Sequence, residues 1–178
     1  MLKKILGGVA VLIGVILVTA LILPDTYKVQ REVEIHAPLD ATFDYVLHLR
    51  NQDNFSVWAQ RDPNMEKHYE GTDATVGFTS FWNSQVEEVG VGEQEITKIE
   101  NGKRVEFELR FTKPFEAKDM AYFETELVDA GTTKVVWGFE GRMPYPSNLM
   151  LLFMNFDDIL GPDLANGLAN LKVELENK

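Results

Sequence analysis

Residues 104–111 read Arg-Val-Glu-Phe-Glu-Leu-Arg-Phe. Successive side chains of a β-strand point to opposite faces, so Val105, Phe107, Leu109 and Phe111 share one face and Glu106, Glu108 and Arg110 the other. A strand written this way is half buried, with one face on a core and one in water, as in antiparallel sheets. The same period recurs on both sides of it. Tyr27–Ile35 sets Tyr27, Val29, Val33 and Ile35 against Lys28, Gln30, Glu32 and Glu34, with Arg31 intruding on the apolar face. Further strands are predicted over 66–70, 76–82, 87–99, 116–128 and 133–141, and the strand quoted first extends to 112. Asn101-Gly102 and Ala130-Gly131 supply hairpin turns. Gly90 and Gly92 interrupt their strand and mark a bulge or bend.

The period changes at both ends of this strand series. After His36-Ala37-Pro38, the residues Phe43, Val46, Leu47 and Arg50 keep helical spacing, predicting a helix over 38–49 with Pro38 in its first turn. Residues 51–58 read as a short helix or loop, followed by a turn at Asp62-Pro63-Asn64. From Ser147 to Leu175, apolar residues recur every three or four positions: Leu149, Leu152, Phe153, Phe156, Leu160, Leu164, Leu168, Leu171 and Leu175. That pattern predicts one long amphipathic helix, kinked or divided at Gly161-Pro162. The order of elements implies an α+β helix-grip fold: a curved antiparallel sheet wrapped around a long C-terminal helix. Sheet and helix side chains need not fill the space between them, so the expected functional feature is an apolar cavity there.

The N-terminus obeys a different rule. After Lys3-Lys4, residues 5–23 (ILGGVAVLIGVILVTALIL) are unbroken by charge and end at Pro24-Asp25. As a helix they span roughly 28 Å, close to a bilayer's hydrocarbon core. We read residues 1–24 as a retained single-pass transmembrane anchor and residues 25–178 as one domain. The alternative is a cleaved secretion signal with Val18-Thr19-Ala20 as its cleavage site. The run exceeds the usual signal core and continues past that site, which favours retention. Lys3 and Lys4 argue for a cytoplasmic N-terminus and an extracytoplasmic domain. Gly7-Gly8 and the Ala10/Gly14 pair offer a small-residue face through which two anchors could dimerise.

Composition narrows the chemistry. The chain carries 28 acidic against 17 basic residues, and two of the basic ones precede the apolar run. A domain this acidic repels nucleic acid and anionic headgroups. With no cysteine, disulfides, thiolate metal sites and cysteine nucleophiles are excluded. His36, His48 and His68 lack ligand spacing, so no metal site is expected. No nucleophile elbow or glycine-rich phosphate loop occurs, and neither a catalytic residue nor a cofactor is assigned. Asp157 and Asp158 are the most suggestive acids, but helix neighbours point about 100° apart and cannot both face one pocket. The plainer reading makes them solvated surface groups. For Arg31 the plainer reading is a salt bridge to a carboxylate of a neighbouring strand.

Several stretches carry a family resemblance. Val33-Glu34-Ile35-His36-Ala37-Pro38, followed by a helix with Phe43, resembles the opening of the START/Bet v 1-like superfamily. The resemblance is closest to its bacterial polyketide cyclase/dehydrase-like branch, known as SRPBCC, including a subgroup with an N-terminal membrane anchor. Asp62-Pro63-Asn64-Met65 with Tyr69-Glu70-Gly71, Val91–Ile96, Gly131–Trp137, and Gly161-Pro162-Asp163 with residues 167–172 are similar to the same branch. Phe55-Ser56-Val57-Trp58 departs from its frequent Trp-Ser-Pro-Trp-like pattern. The resemblance implies a helix-grip fold that binds lipids, sterols, polyketides or other hydrophobic molecules. It supplies no catalytic motif common to the superfamily.

The expected function is therefore a membrane-anchored domain holding a hydrophobic small molecule or lipid between sheet and C-terminal helix. Phe78, Trp82, Phe107, Leu109, Phe123, Trp137, Phe156 and Leu160 are the expected cavity lining. Two alternatives stand beside it. A cyclase- or dehydratase-like enzyme would turn Asp157, Asp158, Arg31 or Tyr122 into the cavity. A fully packed interaction module would have no cavity.

Overall fold

The computed structural model describes residues 2–177, so the outermost positions of the two expected segments, Met1 and Lys178, lie outside the described residues. Helix α1 (Leu2–Ile22) leads into β1 (Thr26–Ile35), α2 (Leu39–Leu47), a 3-10 turn (Leu49–Asn51), α3 (Gln52–Phe55) and α4 (Val57–Arg61). Six strands follow: β2 (Glu66–Glu70), β3 (Thr79–Asn83), β4 (Val91–Glu100), β5 (Arg104–Lys113), β6 (Ala117–Asp129) and β7 (Thr132–Arg142). A 3-10 segment (Ser147–Leu152) and α5 (Phe156–Glu176) complete the chain. The strands form one antiparallel sheet in the order β1-β7-β6-β5-β4-β3-β2. The architecture is α+β and fits the helix grip.

Cross-strand partners share a face, and the register sorts the side chains as the alternation requires. Phe107 pairs with Ile96 and Ala121, and Phe123 with Val105 and Trp137, all on the side that α5 and the short helices cover. The other face is a lattice of ion pairs. Arg110 meets Glu93, Glu95 and Glu108, and Arg104 meets Glu106 and Glu124. Tyr122 and Val136 are buried exceptions there, and Tyr122 is the aromatic one. It is 1 % exposed on the outer face, lies over Gly138 where a Cβ would sit 2.0 Å from its Cζ, and is capped by the Arg104 guanidinium 3.7 Å from its ring centre.

Four expectations are corrected. The long C-terminal helix does not begin at Ser147. Asn155 caps α5 by accepting from the Asp157 amide at 3.1 Å, which separates α5 from the 3-10 segment before it. Of the two outcomes expected at Gly161-Pro162, division does not occur, since α5 runs through both residues. The Asp158 carbonyl that Pro162 leaves without a donor belongs to an exposed residue, and Gly161 is where the helix admits Arg31, whose Nη2 would lie 2.0 Å from a Cβ. Strand β3 starts at Thr79 rather than residue 76, because Ala74 and Gly77 hold positive φ just before it. Strand β4 starts at Val91 rather than residue 87. Gly90 turns into it with φ +68, and a register shift at Val91/Gly92 is the expected bulge.

Helix α1 is long and apolar enough to cross a bilayer, a property it shares with signal sequences. Its side chains are exposed except Thr19, half-buried, and Ala20, buried. The domain grips its C-terminal end. The Asn148 amide, 2 % exposed, donates to the carbonyls of Ala20 (2.7 Å) and Leu23 (3.3 Å). These are among the carbonyls that a helix end leaves without internal partners. Arg142 pairs with Asp25 at 2.7 Å, and the Met143 amide donates to the Asp25 carbonyl.

Candidate functional site

A cavity of about 260 Å³ lies between the sheet and the helices. Its sheet wall is Ser80, Trp82, Gln94, Leu109, Phe111, Ala121, Trp137 and Phe139. Opposite stand Leu49, Gln52, Asp53, Ser56, Trp58 and Ala59 from the short helices, with Leu160 and Leu164 from α5. Met65, Lys67, Glu88 and Val89 complete the rim. Six of these eight sheet residues are apolar, Ser80 and Gln94 being the polar ones, because the wall is drawn from the α5-facing set. Trp137 is fixed by edge contacts with Phe55 (5.7 Å) and Trp58 (5.8 Å) and by Phe123 (4.9 Å). Gly167 lets α5 approach it, since a Cβ there would sit 2.5 Å from the indole. Trp82 donates through Nε1 to the Val89 carbonyl at 3.2 Å, tying the β3–β4 loop to the rim.

Of the eight expected lining residues, Trp82, Leu109, Trp137 and Leu160 line the cavity. Phe78, Phe107 and Phe123 are fully buried and pack beside it rather than on it, Phe78 against Tyr69 and Phe107 against Phe123. Phe156 instead stacks on Tyr27 with ring centres 3.7 Å apart. The register explains the split. On β3, β4, β5 and β6, the cavity positions Trp82, Gln94, Leu109 and Ala121 lie closer to the end of the sheet formed by Thr26, Arg142, Lys113 and Val91. Phe78, Ile96, Phe107 and Phe123 lie further from that end. The cavity is the part of the grip that the helices do not plug.

The polar groups at the cavity were not singled out by sequence. Lys67 and Asp53 form an ion pair at 2.6 Å, and Tyr69 donates to Asp53 at 3.1 Å. Burial, then the neighbouring Asp53 carboxylate, pushes the Tyr69 phenol up to about 12. Gln52 Nε2 is buried without a hydrogen-bond partner, a donor whose desolvation goes uncompensated. The only available signal was helical phase: Gln52 and Ser56 share a face with Ala59.

None of the four residues proposed for catalysis lines the cavity. Arg31 crosses to α5 and forms a fork with Asp157 (2.7 and 2.9 Å), so its partner is a helix carboxylate rather than one on a strand. That guanidinium holds the Asp157 carboxyl below the usual carboxylate range. Asp158 accepts from Asn155. Tyr122 donates to Gln30 at 2.9 Å on the outer face. The three histidines are apart, His36 on Thr132, His48 on the Asp44 carbonyl and His68 beside Glu70. Asp119, 8 % exposed, pairs in register with Leu109 and so faces inward. Burial pushes its carboxyl up, against the pull of the Arg142 amide.

This geometry defines a class by fold, a helix grip with an apolar helix ahead of it. Solved structures agree at the level of fold. The Aha1 dimer from Colwellia psychrerythraea aligns with TM-score 0.58 at 17% identity, over 84% of this chain and 96% of that one. The Mll3558 protein from Rhizobium loti aligns with TM-score 0.61 at 14% identity, over 84% and 97%. DynU16, from the dynemicin biosynthetic locus, aligns with TM-score 0.56 at 15% identity over 84% of this chain but 47% of its own length. No protein-family model and no curated relative matches the sequence.

Proposed function

We propose that this chain is a membrane-anchored binding domain of the polyketide cyclase-like branch, in which α1 stays in the bilayer and the cavity takes a hydrophobic small molecule or part of a lipid. Residues 1–24 are the anchor and residues 25–178 the binding domain, on the extracytoplasmic side by the Lys3-Lys4 bias. The observation that carries this reading is the cavity itself, about 260 Å³, with thirteen of its twenty lining residues apolar. It is somewhat smaller than the ~300–1,000 Å³ of common small-molecule pockets, so a compact molecule or an acyl-chain segment suits it better than a whole sterol. Binding works by moving apolar surface out of water, and the tether raises the effective concentration of pocket and bilayer lipid for each other. Cyclase or dehydratase chemistry would have to use Asp53, Lys67 or Glu88, and Asp53 and Lys67 already neutralise one another. The open space at Gly7, Gly8 and Gly14 supports association of two chains through α1.

Native mass spectrometry and solvent extraction of the detergent-purified full-length protein test the reading. A hydrophobic molecule bound near one per chain is expected. Repeated preparations that yield none, and no uptake of added lipid, would exclude it.

A further inference from the structure

The domain exposes ten large apolar side chains among the described residues, and the topology gathers five of them at one end. Residues 145–153 connect β7 to α5, and there Phe153 is 87 % exposed, with Leu152, Met150 and Tyr145 each about half exposed. Phe115, 73 % exposed, sits in the β5–β6 turn. That turn is at the same end of the sheet as β7's last residues, because Phe111 pairs with Ala117 and Met120 with Glu140. It is also the end from which α1 departs, since Thr26 pairs with Arg142.

The pose between this end and α1 is held rather than loose. The buried Asn148 amide caps the last carbonyls of α1, and Arg142 and Met143 fasten Asp25. The residues that cap the helix and the residues left bare are therefore in one short segment. If α1 spans a bilayer, its C-terminal end lies at the interface, and Met150, Leu152 and Phe153 emerge a few residues from it. Five apolar side chains in water would be an unusual patch for a monomeric domain. The cavity lies towards the same end, with the β3–β4 loop on its rim.

We propose that this end of the domain is a second bilayer contact. Phe115, Tyr145, Met150, Leu152 and Phe153 enter the interfacial layer of the membrane that α1 crosses and seat the cavity against the lipid. The preferred surface is zwitterionic, because Glu87, Glu88, Glu116 and Asp158 at this end outnumber Lys113 and Lys118 and repel anionic headgroups. The inference rests on α1 being retained in the membrane; it does not require that the cavity be occupied.

The chain has no cysteine, so single-cysteine labelling addresses each position separately. Full-length Phe153→Cys, Phe115→Cys, Leu12→Cys and Leu127→Cys variants would carry an environment-sensitive fluorophore in phosphatidylcholine vesicles. Quenching would be read with aqueous iodide and with nitroxide lipids. Leu12 is the mid-anchor reference, and Leu127, near the end of β6 at the other end of the sheet, is the aqueous one. We expect shallow nitroxide lipids to quench labels at 153 and 115, with iodide quenching there at least several-fold weaker than at 127. Iodide quenching at 153 and 115 equal to that at 127, with position 12 still reached by lipid quenchers, would overturn the contact while leaving the anchor standing. Iodide access at position 12 would overturn both. Protection at 153 from both quenchers would mean that protein covers the patch, and would overturn the lipid assignment.

Discussion

Ala121 stands on β6 between Phe107 and Phe139, 5 % exposed, with its methyl group on the cavity wall. Ala121→Leu adds three carbons to space that no side chain occupies. At ~0.8 kcal/mol per buried carbon they contribute about 2.4 kcal/mol. Fixing the leucine rotamer costs roughly 0.5–1 kcal/mol, leaving a stabilisation of about 1.5 kcal/mol. For a domain of this size that is a rise in Tm of about 3–6 °C. A ligand denied the same room loses about 2.4 kcal/mol, or roughly fifty-fold in affinity. The measurement is thermal unfolding of the full-length protein in detergent after extraction of bound lipid, because a retained ligand would itself raise Tm. The amount of ligand recovered without extraction is measured in parallel. Ala59→Leu, from the opposite wall, repeats the experiment against a different local geometry. A fall in Tm for both variants would mean that the space is already filled, and the ligand-carrying function would go with it.

Two further outcomes follow from the geometry. Gly138→Ala should destabilise by about 2–3 kcal/mol in urea unfolding, because a Cβ displaces the Tyr122 ring and with it the Arg104 stack and the hydrogen bond to Gln30; a wild-type midpoint would contradict the close approach. Asp119→Asn should raise Tm at pH 7 and leave it unchanged near pH 3. The folded carboxyl has a raised pKa, so its destabilising ionisation sets in as pH rises from the unfolded pKa through the folded one and is absent below both; a gain that did not depend on pH would contradict this.

The sheet could be read from the sequence because alternation is enforced locally. Each of Val105, Phe107 and Leu109 must leave water whatever the neighbouring strands do, and the residues between them must not. The cavity could not be read in the same way. Phe107 and Leu109 are two residues apart, on one face of one strand, yet the first is sealed in the core and the second lines the cavity. What separates them is where Phe55, Ile96 and Phe123 bring their volume, a sum over residues far apart in the chain. Arg31 is a milder case. Its place on an apolar face was visible, but its partner Asp157 lies 126 positions away on α5 and is reached only because Gly161 leaves room.

The start of α5 exposes a deeper ambiguity in hydrophobic spacing. Leu149, Leu152, Phe153, Phe156 and Leu160 keep the three-to-four period without a break, and that period implies only that these residues avoid water. It does not say what covers them. Inside the grip the cover is the sheet: Leu160 meets the cavity, and Leu164, Leu168 and Leu171 are buried. Before Asn155 the backbone leaves the helix, and Leu152 and Phe153 face outward beside the end of α1. A single apolar stripe thus serves two surfaces of different kinds, with Asn155 as the divide. Polar substitutions on its two sides should then behave differently. Leu168→Asn leaves an unsatisfied amide in the core and unfolds the domain, at a cost of several kcal/mol. Phe153→Asn leaves thermal stability in detergent unchanged and weakens only the interaction with lipid. Equal destabilisation by the two would mean that residue 153 belongs to the core after all.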